Sequence, residues 1–104
     1  MSPTQRTLAA LRADGWHAEI VERWIPGANI RKDLWGFADI ICLRNGSVPL
    51  AVQCTSASNV AARVKKITES PLLPMVRAAN IAIEVWGWRK LKASGWQPKI
   101  VDLS

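Results

Sequence analysis

The stretch from Gly36 to Thr55 constrains the fold more tightly than any other part of the chain. Two apolar runs, one through Phe37-Ala38-Asp39-Ile40-Ile41 and one from Val48 to Thr55, are separated by Arg44-Asn45-Gly46-Ser47. Asn-Gly is a strong hairpin signal because both residues tolerate positive φ. Ala38–Leu43 and Val48–Thr55 therefore read as antiparallel strands. Three polar side chains intrude on this apolar hairpin: Asp39, Gln53 and Thr55. A carboxylate in such a setting is costly to desolvate unless a partner or a cation compensates it. Gln53 and Thr55 are two residues apart and so share one face of their strand. A carboxylate, an amide oxygen and a hydroxyl together are the oxygen donors that a hard cation such as Mg²⁺ favours. The same residues also suit a plain structural role, in which Asp39 caps a turn or pairs with an arginine and Gln53 bonds within the sheet.

The rest of the chain supplies helices and further strands. Pro3–Ala13 fits an amphipathic helix, with Leu8, Ala9 and Leu11 clustered and Arg6 and Arg12 outside; Asp14-Gly15 ends it. Trp16–Trp24 alternates as a strand, and Pro26-Gly27-Ala28-Asn29 is a turn. Ser58 or Asn59 is placed to cap a helix running to Thr68 with Val60, Val64 and Ile67 as its apolar stripe. Pro71 and Pro74 interrupt it before a shorter helix through Ala79. Asn80–Trp86 reads as a strand with Ile81, Ile83 and Val85 on one side, and Gln97–Asp102 as a last strand after Ser94-Gly95. The order helix, strand, strand, strand, helix, strand, strand predicts an α/β fold in which helices flank a mixed sheet. At 104 residues the chain is expected to form one domain, 1–104.

Charge and composition narrow the function. Fourteen Lys plus Arg against eight Asp plus Glu give a net charge of +6. That excess favours a polyanionic partner, whose condensed counterions are released on binding, or it serves solubility alone. No apolar run approaches the roughly 18 residues of a membrane span. No apolar segment follows the N-terminal residues as in a secretory signal, so a cytoplasmic location without membrane association is expected. Cys42 and Cys54 lie in apolar strand patterns and read as buried thiols of a reducing compartment. With one histidine and no Cys/His cluster, zinc is not expected. Six tryptophans, Trp16, Trp24, Trp35, Trp86, Trp88 and Trp96, accompany one phenylalanine and no tyrosine. They suit the core or its rim, and beside a basic surface an indole also stacks on bases. Val85-Trp86-Gly87-Trp88 is expected in the core rather than on a dimer surface.

A strand reading Gly36-Phe37-Ala38-Asp39-Ile40-Ile41, a turn, and a strand ending in a polar-x-polar tripeptide resemble the PD-(D/E)XK nuclease superfamily. Within it, the chain is similar to small phage proteins of the Holliday-junction-resolvase-like or restriction-endonuclease-like kind. Asp33-Leu34-Trp35-Gly36-Phe37-Ala38-Asp39, Val52-Gln53-Cys54-Thr55-Ser56 and Val85-Trp86-Gly87-Trp88-Arg89-Lys90 carry the likeness. The resemblance covers most of the chain through a short, degenerate motif and implies a restriction-endonuclease-like αβββαβ core.

Carried over, the resemblance makes Asp39 the metal-binding aspartate, Gln53 the counterpart of the tripeptide's acid and Thr55 that of its lysine. Glutamine brings no charge, and threonine cannot activate a water as lysine does. Lys65 or Lys66, on the following helix, stands in for the missing lysine, alternatively forming part of a solvated basic face with Arg63. Asp33 offers a second carboxylate at the strand entrance, or caps a loop, and Glu22 the acid that such resolvases hold near their N-terminus. The implied activity is Mg²⁺- or Mn²⁺-dependent phosphodiester hydrolysis of DNA, with Asp39, Gln53 and Asp33 as metal ligands. Arg31, Lys32, Arg63, Lys65, Lys66, Arg89 and Lys90 are the expected backbone contacts. No base-reading helix is evident, which favours structure-selective or nonspecific recognition, branched DNA included, over a sequence code. A four-way junction would match a homodimer, and the setting would be a phage-infected or lysogenic bacterium. The alternatives are an inactive nuclease fold that binds DNA or protein, and a small basic modulator of host machinery.

Overall fold

The computed structural model describes residues 1–104. Helix α1 (Pro3–Ala13) begins where Ser2 Oγ accepts from Gln5 N–H at 3.1 Å and Pro3 takes the first helical position. Thr7, Leu8 and Leu11 form its buried face. Ala9, expected there, is exposed. The Thr7 hydroxyl accepts from Trp88 Nε1 at 2.8 Å, which is why a polar residue sits in that stripe. Arg12 ties the helix to the sheet through two bonds to the Ala18 carbonyl, at 2.9 and 3.2 Å.

The strand expected over Trp16–Trp24 is two strands. β1 (His17–Ile20) pairs antiparallel with β4 (Ile40–Leu43). The chain then leaves the sheet, and β2 (Arg23–Ile25) pairs with β3 (Ile30–Lys32) as a separate ribbon. The predicted Pro26–Asn29 turn closes this ribbon, with Gly27 at φ +84° and Asn29 at +50°. The cause lies in the partner strand. Before Ile40 the chain is folded into a tight turn, Leu34 N–H bonding Ala38 O and Ala38 N–H bonding Leu34 O. Trp35 and Gly36 both take positive φ in that turn. Beyond Val21 nothing remains for β1 to pair with, and alternation alone does not reveal that loss.

The central hairpin forms as the Asn45-Gly46 signal requires. β4 pairs antiparallel with β5 (Leu50–Ser56), Ile40 opposite Val52 and Cys42 opposite Leu50. Only Gly46 uses positive φ, so the connection is longer than a two-residue turn and both strands start two residues later than expected. After a 3₁₀ turn at Ala57–Asn59, α2 (Val60–Thr68) and α3 (Leu73–Ala78) make the crossover. Neither Ser58 nor Asn59 bonds the start of α2; Ser56 and Ser58 hydroxyls and the Asn59 amide bond one another instead. Pro74 sits within the first turn of α3, where its missing N–H goes unused, and so does not interrupt it. β6 (Ala82–Leu91) then runs parallel to β5, and β7 (Gly95–Asp102) returns antiparallel.

The result is a mixed five-stranded sheet, ordered β1-β4-β5-β6-β7, with helices on both faces. Alternation along β5 divides the core. Leu50, Val52 and Cys54 join Leu8, Leu11, Ala18, Ile40 and Cys42 beneath α1. Ala51 joins Ile67, Leu73, Val76, Ile83 and Val85 beneath α2 and α3. Gln53 and Thr55 point to that second side. Gly87 lets α2 come close to β6: a Cβ there would run into Val60 Cγ2 and lie 3.0 Å from Ala57 Cα. Trp86 and Trp88 are half-buried, their indole N–H groups bonded to Glu84 and Thr7. No helix is long and apolar enough to cross a membrane.

Candidate metal centre

Asp39 stands where three chain segments meet at one end of the sheet. Its N–H donates to Val52 O at 2.9 Å, and its carbonyl accepts from Val21 N–H at 2.8 Å. β4 has not yet begun at this residue, so the side chain takes over the strand's duties. Asp39 Oδ2 accepts from Cys54 N–H at 2.8 Å and from Gln53 Nε2 at 2.7 Å. The two polar residues of the hairpin therefore face the same side, in contact.

Two further carboxylates converge on Asp39. Glu22 directly precedes β2, where the chain leaves the sheet, and Asp33 directly follows β3, where it comes back. One carboxylate oxygen from each of Glu22, Asp33 and Asp39 lies within 4.8 Å of the other two. Asp39 is 4% exposed, and the side chains of Glu22 and Asp33 are 14% and 17% exposed. Burial pushes the Asp39 pKa up to about 7, against the pull of the Cys54 N–H. A hydrogen bond with Asp33 and the charges of Asp33 and Glu22 push in the same direction as burial.

Cations partly offset the cluster. Arg31 Nη1 lies 3.0 Å from Glu22 Oε1, and Lys66 Nζ, arriving from α2, lies 3.5 Å from Asp33 Oδ2. Lys66 Nζ is also 3.5 Å from Gln53 Oε1. Gln53 thus connects Lys66 to Asp39, carbonyl toward the ammonium and amide toward the carboxylate.

The donor set fits a hard divalent cation. Bonds of 2.0–2.6 Å place ligand oxygens at most about 4–5 Å apart, the span these three carboxylates already occupy. All three are oxygen donors, and the neighbouring carboxylates add to the burial of Asp39 in disfavouring its charged form, a cost that a bound cation would relieve. The arrangement can hold such an ion with Glu22, Asp33 and Asp39 as ligands. Gln53 fixes Asp39 through its amide nitrogen, while its carbonyl, the expected ligand atom, faces Lys66.

Among the residues singled out from the sequence, the structure brings Glu22, Asp33, Asp39, Gln53 and Lys66 together. Thr55 is buried on the Gln53 side of β5 but makes no side-chain hydrogen bond to the cluster, lying one step further along the strand opposite Gly87. Lys65 is exposed and its side chain pairs with nothing in the cluster, because α2 turns its neighbour inward over Gln53. Arg31 is committed to Glu22 and Lys32 flanks Asp33, whereas Arg63 is half-buried on α2. Arg89 and Lys90 are exposed on β6 past the end of its pairing with β5. Glu22, expected as a supporting acid, joins Asp33 and Asp39 in the cluster. Cys42 and Cys54 are free and buried, and burial pushes both thiols up to about 12, which leaves them without nucleophilic character here.

No protein-family model, curated protein or solved structure matches the chain.

Proposed function

We propose that the chain is a metal-dependent DNA endonuclease of the PD-(D/E)XK kind, hydrolysing phosphodiester bonds in DNA of particular shape. One observation carries the reading: Glu22, Asp33 and Asp39 converge at the end of the β4–β5 hairpin, with Lys66 of α2 reaching the same point. The order α1, β1, β4, β5, α2, β6 around the main sheet agrees with an αβββαβ restriction-endonuclease-like core. Lys66 supplies from α2 the ammonium that Thr55 cannot supply from the strand.

Mg²⁺ or Mn²⁺, bound by the three carboxylates, would supply Lewis acidity and a water of lowered pKa. Asp39 is held in place for that duty by Gln53 and the Cys54 N–H. Lys66 orients Asp33 and Gln53 and offers its remaining N–H donors to a phosphate oxygen or to the attacking water. Hydrolysis adds water across one P–O bond and leaves a phosphomonoester and a hydroxyl. Arg31, Lys32, Arg63, Arg89 and Lys90 provide positive charge for the flanking phosphates. A homodimer would present two such sites to the equivalent strands of a branched substrate.

A second reading, a catalytically silent DNA-binding module, draws on the ion pairs Arg31–Glu22 and Lys66–Asp33, which neutralise two of the acids without any metal. Mg²⁺ and Mn²⁺ titrations over linear, flapped and four-way DNA separate the two. Cleavage that needs the metal and vanishes in Asp39→Ala supports the enzyme. Tight binding without cleavage, unchanged in Asp39→Ala, supports the module.

A further inference from the structure

The β2–β3 ribbon stands between two clefts of about 330 Å³ each. Trp24 and Arg31 are cross-strand partners and share one of its faces; Arg23 and Lys32, one step along, share the other. Trp24 and Arg31 line the first cleft with Ile20, Glu22 and the Ser2 and Gln5 side chains at the start of α1. Arg23 and Lys32 line the second with Asp33 and Trp35. Glu22 belongs to one cleft and Asp33 to the other, and their carboxylates lie within 4.8 Å of each other. The clefts therefore meet at the acid cluster, with the ribbon between them.

We infer that the Trp24 cleft receives one unpaired nucleobase, so that the substrate is DNA with a single-stranded segment beside the scissile bond rather than continuous duplex. The inference rests on the nuclease reading of the adjoining cluster. Trp24 is 54% exposed on a ribbon that has no core of its own in which to bury an indole. An open aromatic face of this kind is what a base stacks on, whatever its sequence. Ile20, 38% exposed, adds a second apolar wall. With Glu22 and Arg31 paired in its wall, the cleft suits a neutral, flat ring with amide and carbonyl edges, which Ser2, Gln5 and the remaining Arg31 donors can bond. The volume lies at the lower end of the roughly 300–1,000 Å³ of small-molecule pockets, ample for a single base. In continuous duplex the faces of the bases are covered by their neighbours, leaving Trp24 nothing to stack on. Arg23 and Lys32, on the far side of the ribbon, face the second cleft with positive charge for a backbone.

Fluorescence anisotropy in EDTA, with labelled oligothymidylate, a continuous duplex and a flapped duplex, tests this without cleavage. Single-stranded and flapped DNA should bind more tightly than the duplex. Trp24→Ala should weaken them about ten-fold, Trp24→Phe far less, and neither should alter the duplex. Photo-cross-linking of a halouracil oligonucleotide should map to Trp24. The inference is overturned by duplex bound as tightly as single strand, by no binding of single strand, by a Trp24→Ala effect that is absent or equal on all three, or by cross-links elsewhere. The nuclease reading fails on a different result: no Mn²⁺-dependent cleavage of any substrate while Trp24-dependent binding persists. Equal cleavage of duplex and single strand would keep the nuclease and remove the Trp24 inference.

Discussion

Gln53 and Asp39, fourteen residues apart, meet side chain to side chain at 2.7 Å, and it is the amide nitrogen of Gln53 that faces the carboxylate. Substituting Gln53→Glu replaces that donor with a second acid against a buried one. The metal-free protein should lose about 5 °C or more in Tm at pH 8, following the roughly 4–8 °C per kcal/mol of a domain of this size. Mn²⁺ should restore the loss and bind more tightly than to the parent, because a fourth carboxylate joins the set. Thermal denaturation with and without Mn²⁺ decides it; an unchanged Tm in EDTA would refute the contact.

Asp39 makes the stability of the metal-free protein fall with pH. Its ordinary pKa of 3.8 in the unfolded chain rises to about 7 in the folded one, so between those values the folded state holds the extra proton. By linkage, the contribution is fully favourable below about pH 4 and is lost as pH rises to about 7. The full swing is on the order of 4 kcal/mol. Asp39→Asn keeps an acceptor for Gln53 and Cys54 and carries no charge. Urea unfolding in EDTA should find it more stable than the parent at pH 8, with a flatter profile from pH 4 to 7. Parallel profiles in the two proteins would count against the burial of that charge.

Lys66 and Lys65 are neighbours in sequence with different surroundings. Lys66→Met should reduce metal-dependent cleavage roughly 100-fold, the scale of one lost electrostatic donor, with little change in stability. Lys65→Met should leave the turnover rate alone and weaken DNA binding modestly in a salt-dependent way. Steady-state kinetics at two ionic strengths distinguish them, and equal losses in both would remove Lys66 from the site.

Gly87 is required by its neighbours rather than by its own backbone angles. Gly87→Ala should destabilise the protein by about 1–3 kcal/mol, the usual cost of overpacking, because Val60 and the Ala57 backbone have to retreat. Since α2 carries Lys66, the same substitution should loosen the ammonium from Asp33. Chemical denaturation gives the first effect; an Ala variant as stable as the parent would contradict the close approach.

How much of this was legible in the sequence depended on whether the signal was local. Asn45-Gly46 and the alternation around it gave the β4–β5 hairpin, and with it the pairing of Asp39 with Gln53. Ile81, Ile83 and Val85 announced one face of β6, and Val60, Val64 and Ile67 the buried stripe of α2. The Trp16–Trp24 segment misled because alternation continues through residues 21 and 22 while the partner strand has already turned away. Glu22 and Asp33 flank the β2–β3 ribbon one step beyond the Arg23–Lys32 pair, but that they meet Asp39 is a long-range fact that no spacing encodes. The choice between Lys65 and Lys66 turned on the rotation of α2 about its own axis, set by Gly87 and Val60, two residues from different elements. Thr55 was correctly assigned to the face of Gln53, yet one pleat along a strand is enough to carry it clear of the acids.

The loop between Leu43 and Leu50 has one more consequence. It holds Ile40 opposite Val52, and strand pairing permits no half-steps. Slipping that register by a single residue would turn the Asp39 or Gln53 side chain through to the α1 side of the sheet. A one-residue insertion at Asn45, on the surface at the other end of the hairpin from the acid cluster, would act on the site as a substitution in its centre does wherever it shifts that register.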